Sequence, residues 1–378
     1  MSVFAICGAR ILSGGRWYDD HALLVDRGHV AAVVPRVALD PALAVEQLGG
    51  GTLIPGFFDT QVNGGGGVLF NDAPTVAGIA AIAAAHCRFG TTALLPTLIS
   101  DDLSVIARAI AAVDDAIAAG VPGIVGIHIE GPFLNPARVG IHDPAHIRPL
   151  DAAAIDLLAS LRRGKTLVTL APECAPPGAI AELVRRGVVV AAGHSEASYA
   201  DMARAASEGL TGVTHLFNAM SQLGSREPGL VGAALDLPLF AGVIADGHHV
   251  HAASLRTALR AKGTDRLLLV SDAMPSVGTD LTGFALGGRW IDRVGGALRG
   301  ADGTLAGSDL DMAAALRSAM AMMDIDLAQA SAMASGTPAA FMGLADHFGA
   351  LWPGQRADMV HLDDARAVQT TWIAGARL

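Results

Sequence analysis

The chain has 378 residues, 52% hydrophobic and only 16% charged, so a large buried core is expected and disorder is not. This length suits one large barrel beside a smaller domain. A formal net charge of −10 argues against a nucleic-acid partner, which needs a basic face, yet allows an anionic small molecule held by a few local donors.

No apolar run approaches the roughly 18–20 residues that cross a bilayer, so no membrane partner is expected. Met1-Ser2-Val3-Phe4-Ala5 has no basic leader, so a signal peptide is not indicated. Cys7, Cys87 and Cys174 are scattered and form no CxxC pair. They point to a reducing cytoplasm rather than a disulfide frame. Cys87, Cys174 and Met320-Ala321-Met322-Met323 read as core packing.

In chain order, residues 1–52 look like short strands. His21–Val25 and His29–Val34 flank Asp26-Arg27-Gly28 as a hairpin. Near the other end, Ala357–Leu362 and Thr370–Ile373 are also strand-like. The two ends are expected to pair, so that residues 1–52 and 351–378 build one small β domain around an inserted unit of residues 53–350. Within that unit the strand candidates are Leu53–Val62, Thr92–Thr97, Ile124–Glu130, Thr166–Glu173, Val188–His194, Gly212–Phe217, Ala241–Asp246 and Leu267–Asp272. Helical stretches 75–89, 101–119, 151–163, 179–186, 198–209 and 252–262 separate most of them. Ser100 and Asp101 precede the second helix and Gly120 follows it; Ser198 with Asp201 resembles a capping box.

This alternation predicts an α/β fold: a (β/α)8 TIM-like barrel with a small β-sandwich domain built from both chain termini. A doubly wound open sheet fits less well, because polar residues end nearly every strand instead of clustering at one switch point. The predicted tips carry Asp59, Gln61 and Asn63, then Thr97, Glu130, Glu173, His194, His215, Asp246 and Asp272. A barrel places its active site at those ends.

Glu130, His194 and His215 end three strands. One carboxylate and two imidazoles form a metal set of the catalytic kind, with Zn²⁺ the first expectation and Fe²⁺ compatible. Singly, a buried histidine is more often a hydrogen-bonded core residue than a ligand; three such residues at three strand tips reverse that. Asp272 ends the eighth strand, where a carboxylate facing a metal-activated water could take its proton and return it to a leaving group.

The stretch Leu53-Ile54-Pro55-Gly56-Phe57-Phe58-Asp59 resembles the opening strand of the amidohydrolase superfamily, and Trp352–Val360 resembles its return into the small domain. His128-Ile129-Glu130-Gly131-Pro132-Phe133-Leu134-Asn135, Gly193-His194-Ser195, Thr214–Met220, Arg226-Glu227-Pro228-Gly229, Ala245–Val250, Ser271-Asp272-Ala273 and Leu305–Ser308 are more narrowly similar to the N-acetylglucosamine-6-phosphate deacetylase family. This resemblance spans nearly the whole chain. It implies hydrolysis of the N-acetyl amide of a phosphorylated amino sugar, with one divalent metal on Glu130, His194 and His215 and Asp272 as base, then acid. It further implies that His142 polarises the acetyl carbonyl, that Asn218, the Ala219 backbone N–H, Arg226 and His249 hold the sugar phosphate, and that Arg226 reaches a neighbouring subunit's site in a homodimer. Of the neighbouring histidines, His248 and His251 are read as surface or supporting groups.

Two departures from the wider superfamily matter. Gln61-Val62-Asn63 stands where many members carry His-x-His, so one metal is expected and Gln61 could hold a water instead. Lys165 starts the fourth strand rather than ending it, which disfavours members that bridge two metals through a carboxylated lysine. An N-acetylgalactosamine 6-phosphate deacetylase remains the near alternative, and a non-catalytic sugar-phosphate-binding barrel the distant one.

Overall fold

The computed structural model describes residues 3–378. Eight parallel strands form the central sheet in sequential order: β1 (Phe57–Val62), β2 (Thr91–Ile99), β3 (Gly126–Glu130), β4 (Lys165–Leu170), β5 (Val189–Ala192), β6 (Gly212–Val213), β7 (Phe240–Val243) and β8 (Leu267–Leu269). The ring closes through the segment after β8. Ser271 and Asp272 donate their backbone N–H to Asp59 Oδ1 and the Gln61 carbonyl at 3.2 and 3.0 Å, and Val62 pairs with Ala273 in parallel. An open doubly wound sheet would leave β1 and β8 apart, so the fold is the (β/α)8 barrel.

The connecting helices are α1 (Val76–Cys87), α2 (Leu103–Ala118), α3 (Ala152–Leu158), α4 (Ala179–Arg185), α5 (Tyr199–Ser207), α6 (Gly229–Asp236), α7 (Ala252–Lys262) and α8 (Met312–Met323). Their sequences show why they pack as they do. In α2 the buried Ile106, Ala109, Ile110, Val113 and Ala116 fall on one helical stripe. At the start of α5 the Ser198 hydroxyl accepts from the Asp201 N–H at 3.1 Å, and the Asp201 carboxylate accepts from the Ser198 N–H at 3.0 Å. Helices α6 and α8 have no counterpart among the expected helices. Among the described residues, no helix is long and apolar enough to cross a membrane.

Two further sheets come from the ends of the chain, the first from residues 4–47 alone and the second from both ends. One orders His29–Pro35, His21–Asp26, Phe4–Cys7 and Ala44–Gln47; the other orders Ala376–Arg377, Val368–Ile373, Met359–Leu362, Thr52–Pro55, Arg10–Ser13 and Arg16–Tyr18. Between them lies a buried cluster that includes Ile6, Leu23, Val25, Leu53, Met359 and Trp372. The stretch expected as one strand, Leu53–Val62, is two. Thr52–Pro55 belongs to the six-stranded sheet and β1 opens the barrel. Gly56 makes the break: its N–H donates to the Asp358 carbonyl at 2.9 Å, and a Cβ there would lie 2.2 Å from Thr92 Oγ1.

Several barrel strands are also shorter than expected. Glu173 lies in a 3₁₀ turn beyond β4, and His194, His215, Asp246 and Asp272 lie past the ends of β5 to β8. His194, His215 and Asp272 have φ of 50°, 31° and 51°. A left-handed residue cannot continue a strand, so the ladder stops and the side chain swings over the barrel mouth.

After β8 the chain adds an antiparallel sheet absent from the expected elements: β9 (Gly283–Leu286), β10 (Arg289–Val294), β11 (Ala297–Gly300) and β12 (Leu305–Ser308). Its Phe284, Leu286, Ile291, Leu298 and Ala306 bury an apolar cluster with Leu69 and Met274, against which Ile99 and Ile141 pack. This sheet forms a hood at the barrel mouth. Its last strand returns beside the segment after β8, with Ser308 donating to the Asp272 carbonyl at 2.9 Å and Met274 to the Ser308 carbonyl at 3.0 Å.

Candidate active site

A cavity of about 350 Å³ opens at the C-terminal end of the barrel, lined by Asn63, Glu130, His142, His194, His215, Asn218, Ala219, His249 and Asp272 among others. Arg226 does not line it. That residue is exposed on the loop before α6.

Glu130, His194 and His215 are all buried, and their ligand atoms lie within 4.8 Å of one another. Glu130 Oε1 is 3.1 Å from His194 Nε2 and 2.9 Å from His215 Nε2, and the two imidazole nitrogens are 3.1 Å apart. His194 Nδ1 lies 2.8 Å from the Arg138 carbonyl, which can only accept. The proton therefore sits on Nδ1, and Nε2 turns a lone pair toward a carboxylate oxygen and a second imidazole. Such a convergence of electron-rich atoms needs positive charge between them. The donor set fits a divalent metal of the Zn²⁺ or Fe²⁺ class. Burial pulls His215 down, but its hydrogen bond and Coulomb attraction to Glu130 outweigh this and raise its pKa. Burial likewise pushes Glu130 up, and the two histidines more than reverse it, holding the carboxyl well below its ordinary range.

Asp272 stands beside this set. Burial, then the Glu130 charge, lifts it to about 6. The Gln61 and Asn63 side-chain amides both donate to its Oδ1, at 3.1 and 2.7 Å, which leaves Oδ2 as the oxygen open to the cavity. Gln61 Nε2 also donates to Glu130 Oε2 at 3.1 Å. The residue expected to hold a water thus spans two carboxylates with its amide nitrogen. Asp59 and Gln61 alternate along β1 and Asn63 follows just past its end, a period of two that puts the three on one side.

His142 lies in the loop after β3, its ring 4.5 Å from that of His194. The Ser100 backbone N–H donates to His142 Nδ1 at 3.2 Å, and the Ser100 hydroxyl lies 2.7 Å from the same atom. Nδ1 is therefore the acceptor and Nε2 carries the proton. Burial, reinforced by His194, lowers the pKa to about 3, so the ring is a neutral N–H donor. In the sequence Ser100 stands out only as a residue before a helix; its contact with His142 arises from tertiary structure.

The three clustered histidines separate. His249 Nδ1 pairs with Asp246 Oδ2 at 2.6 Å and its ring lines the cavity. His251 caps α7 by accepting from the Ala253 N–H. His248 is exposed. Glu173 stays out of the cavity. It accepts from Ser195 Oγ at 2.6 Å, the Glu196 N–H at 2.7 Å and Asn135 Nδ2 at 2.9 Å, bracing the turn that holds His194.

The family described as "Amidohydrolase family" matches residues 52–378. The chain is 43% identical over 374 residues to the N-acetylgalactosamine-6-phosphate deacetylase of Shewanella sp. (strain ANA-3), covering 98% of this chain and 95% of that one. It is 37% identical over 391 residues to the N-acetylglucosamine-6-phosphate deacetylase of Homo sapiens, covering 99% and 95%. Among solved structures, a mutant N-acetyl-D-glucosamine-6-phosphate deacetylase from Mycobacterium smegmatis in complex with N-acetyl-D-glucosamine 6-phosphate superposes with a TM-score of 0.91 at 35% identity, covering 100% of this chain and 99% of that one.

Proposed function

The chain belongs to the amidohydrolase family, and from that premise we propose that it hydrolyses the acetamide of an N-acetylhexosamine 6-phosphate, N-acetyl-D-glucosamine 6-phosphate first, to the free amine and acetate. The observation that carries this reading is the meeting of a metal-type donor set, a carboxylate base and a neutral imidazole donor in one cavity. The barrel, from β1 onward, carries the reaction, and the strand before it, Thr52–Pro55, belongs to the six-stranded sheet of the small domain.

Glu130, His194 and His215 would hold one divalent metal, Zn²⁺ before Fe²⁺, which would supply the positive charge that acidifies a water and polarises a carbonyl. Asp272 Oδ2 takes a proton from the attacking water while Gln61 and Asn63 steady Oδ1. His142 Nε2–H donates to the acyl oxygen as negative charge builds there. Asp272 then passes its proton to the nitrogen as the C–N bond breaks. Asn218, the Ala219 N–H and His249 face the sugar phosphate from the β6 and β7 side, and Arg226 completes that site from a second subunit of a homodimer. Such donors suit a phosphate dianion. We place the reaction in amino-sugar breakdown in the cytoplasm.

A second reading, the galacto epimer as preferred substrate, is favoured by the 43% identity to the Shewanella enzyme. Acetate release from both epimers and from unphosphorylated N-acetylglucosamine, before chelation, after it and with Zn²⁺ or Fe²⁺ restored, tests both readings. Fast metal-dependent release from the gluco phosphate supports the first, and release from the galacto phosphate alone supports the second. No release from any of them, with metal bound, overturns the proposal.

A further inference from the structure

The cavity has two ends of unlike chemistry. In a ring of eight sequential strands, β6 and β7 stand across from β2 and β3. The β6–β7 side presents Asn218, Ala219 and His249. The opposite side presents Ile99 from the tip of β2 and Ile141 from the loop after β3, the loop that also brings Arg138 to the cavity wall, with Met274 following β8 and Thr304 and Leu305 descending from the hood. Ile99, Ile141 and Met274 belong to one apolar cluster.

Met274 is held in place there. Only 1% of it is exposed, and its backbone is bonded to Ser308 on the hood's returning strand. Its side chain packs where a side chain at position 307 would go: a Cβ on Gly307 would lie 2.6 Å from Met274 Cγ and 3.0 Å from Sδ. Ile99, Ile141 and Met274 can neither move a proton nor bind a phosphate, so the mechanism gives them no task.

An acyl carbon attacked between Asp272 and His142 has three substituents. Its oxygen faces the His142 donor. Its nitrogen carries the sugar, whose phosphate runs to the β6–β7 side. The acyl chain takes the remaining direction, toward β2 and β3. Building on the function proposed above, we propose that Ile99, Ile141 and Met274 form the pocket that receives the acyl methyl and limits the substrate to short, apolar N-acyl groups.

The test compares kcat/KM for N-acetyl, N-propionyl and N-butanoyl hexosamine 6-phosphates, on whichever epimer the parent enzyme turns over. One added methylene in a filled apolar pocket lowers kcat/KM by about 10–200-fold, and the parent should show a loss in that range. Ile141→Ala and Met274→Ala should each raise the propionyl-to-acetyl ratio by about tenfold or more. Ile244→Ala, at the β7 end of the same cavity, should move that ratio by less than about twofold. Two variants are used so that poor folding of one leaves the other decisive, with metal content and circular dichroism followed in both. A parent indifferent to acyl length, an unmoved ratio in the folded variants, or relaxation by Ile244→Ala alone would overturn the acyl pocket. Failure of the parent to turn over any acetyl substrate would overturn the proposed function, and the acyl pocket with it.

Discussion

Asp272 has two carboxylate oxygens in different surroundings, and the proposed mechanism gives them different work. Oδ1 is tied to Gln61 and Asn63, while Oδ2 faces the cavity. Replacing Asp272 with Asn removes the proton acceptor but no metal-set atom. Acetate release should fall by about 10³-fold or more, while elemental analysis finds undiminished metal; normal turnover would remove Asp272 from the base role. The pH profile follows from the same group. A base works ionised, and burial with the Glu130 charge places Asp272 at about 6. Activity should therefore rise with pH through that limb, and a cation on Glu130 moves the limb lower still. An acid limb centred above pH 7 would contradict the assignment. His142, held at about 3, stays neutral throughout and adds no limb of its own.

The short turns after the strands set the site as much as the strands do. His194 sits in a left-handed turn, a conformation that costs a non-glycine residue on the order of 1–3 kcal/mol and so must be held by its neighbours. Glu173 does this through Ser195, Glu196 and Asn135. Glu173→Ala should lower metal affinity by about 10–100-fold in a competition titration while the barrel still folds; unchanged affinity would reduce the brace to a loop contact. These elements also show what the sequence reveals. The barrel strands are legible because each is an apolar run that stops at a polar residue, and the α5 cap is legible because its partners are three residues apart. The division at Gly56 was hidden because it depends on Asp358, some 300 residues away. The hood was hidden because its strands are short, partly exposed and joined by glycine turns, so no long apolar run announces them. The tautomers of His142 and His194 rest on Ser100 and on the Arg138 carbonyl, contacts without local spacing.

Over the whole molecule, the metal set joins β3 to the segments after β5 and β6, so occupancy should be read as stability. A metal that binds only the folded chain, at about 100 times its Kd, adds about 2.7 kcal/mol. Chelation should accordingly lower Tm and restored Zn²⁺ should raise it; equal Tm values with metal demonstrably bound would refute a site specific to the fold. Arg226 tests assembly. It lies outside its own chain's cavity, on an exposed loop. If it serves a partner's site, chains carrying Arg226→Ala and chains carrying Asp272→Asn should complement after subunit exchange. In an equal mixture about a quarter of all sites would then be intact, since half the dimers are hybrids with one undamaged site each. Acetate release no higher than the sum of the separate variants would place Arg226 outside the partner's site.

The six-stranded sheet has a consequence in time. Leu53 pairs with His361 and Ile54 with Val360, so an early segment waits for a late one. On a ribosome adding ~5–20 residues per second, roughly 300 residues separate them, or ~15–60 s. During that interval the Thr52–Pro55 strand has one edge without its final neighbour while the barrel emerges. The nascent chain must shelter that edge, and the last strands to be made act as the clasp that fastens the first.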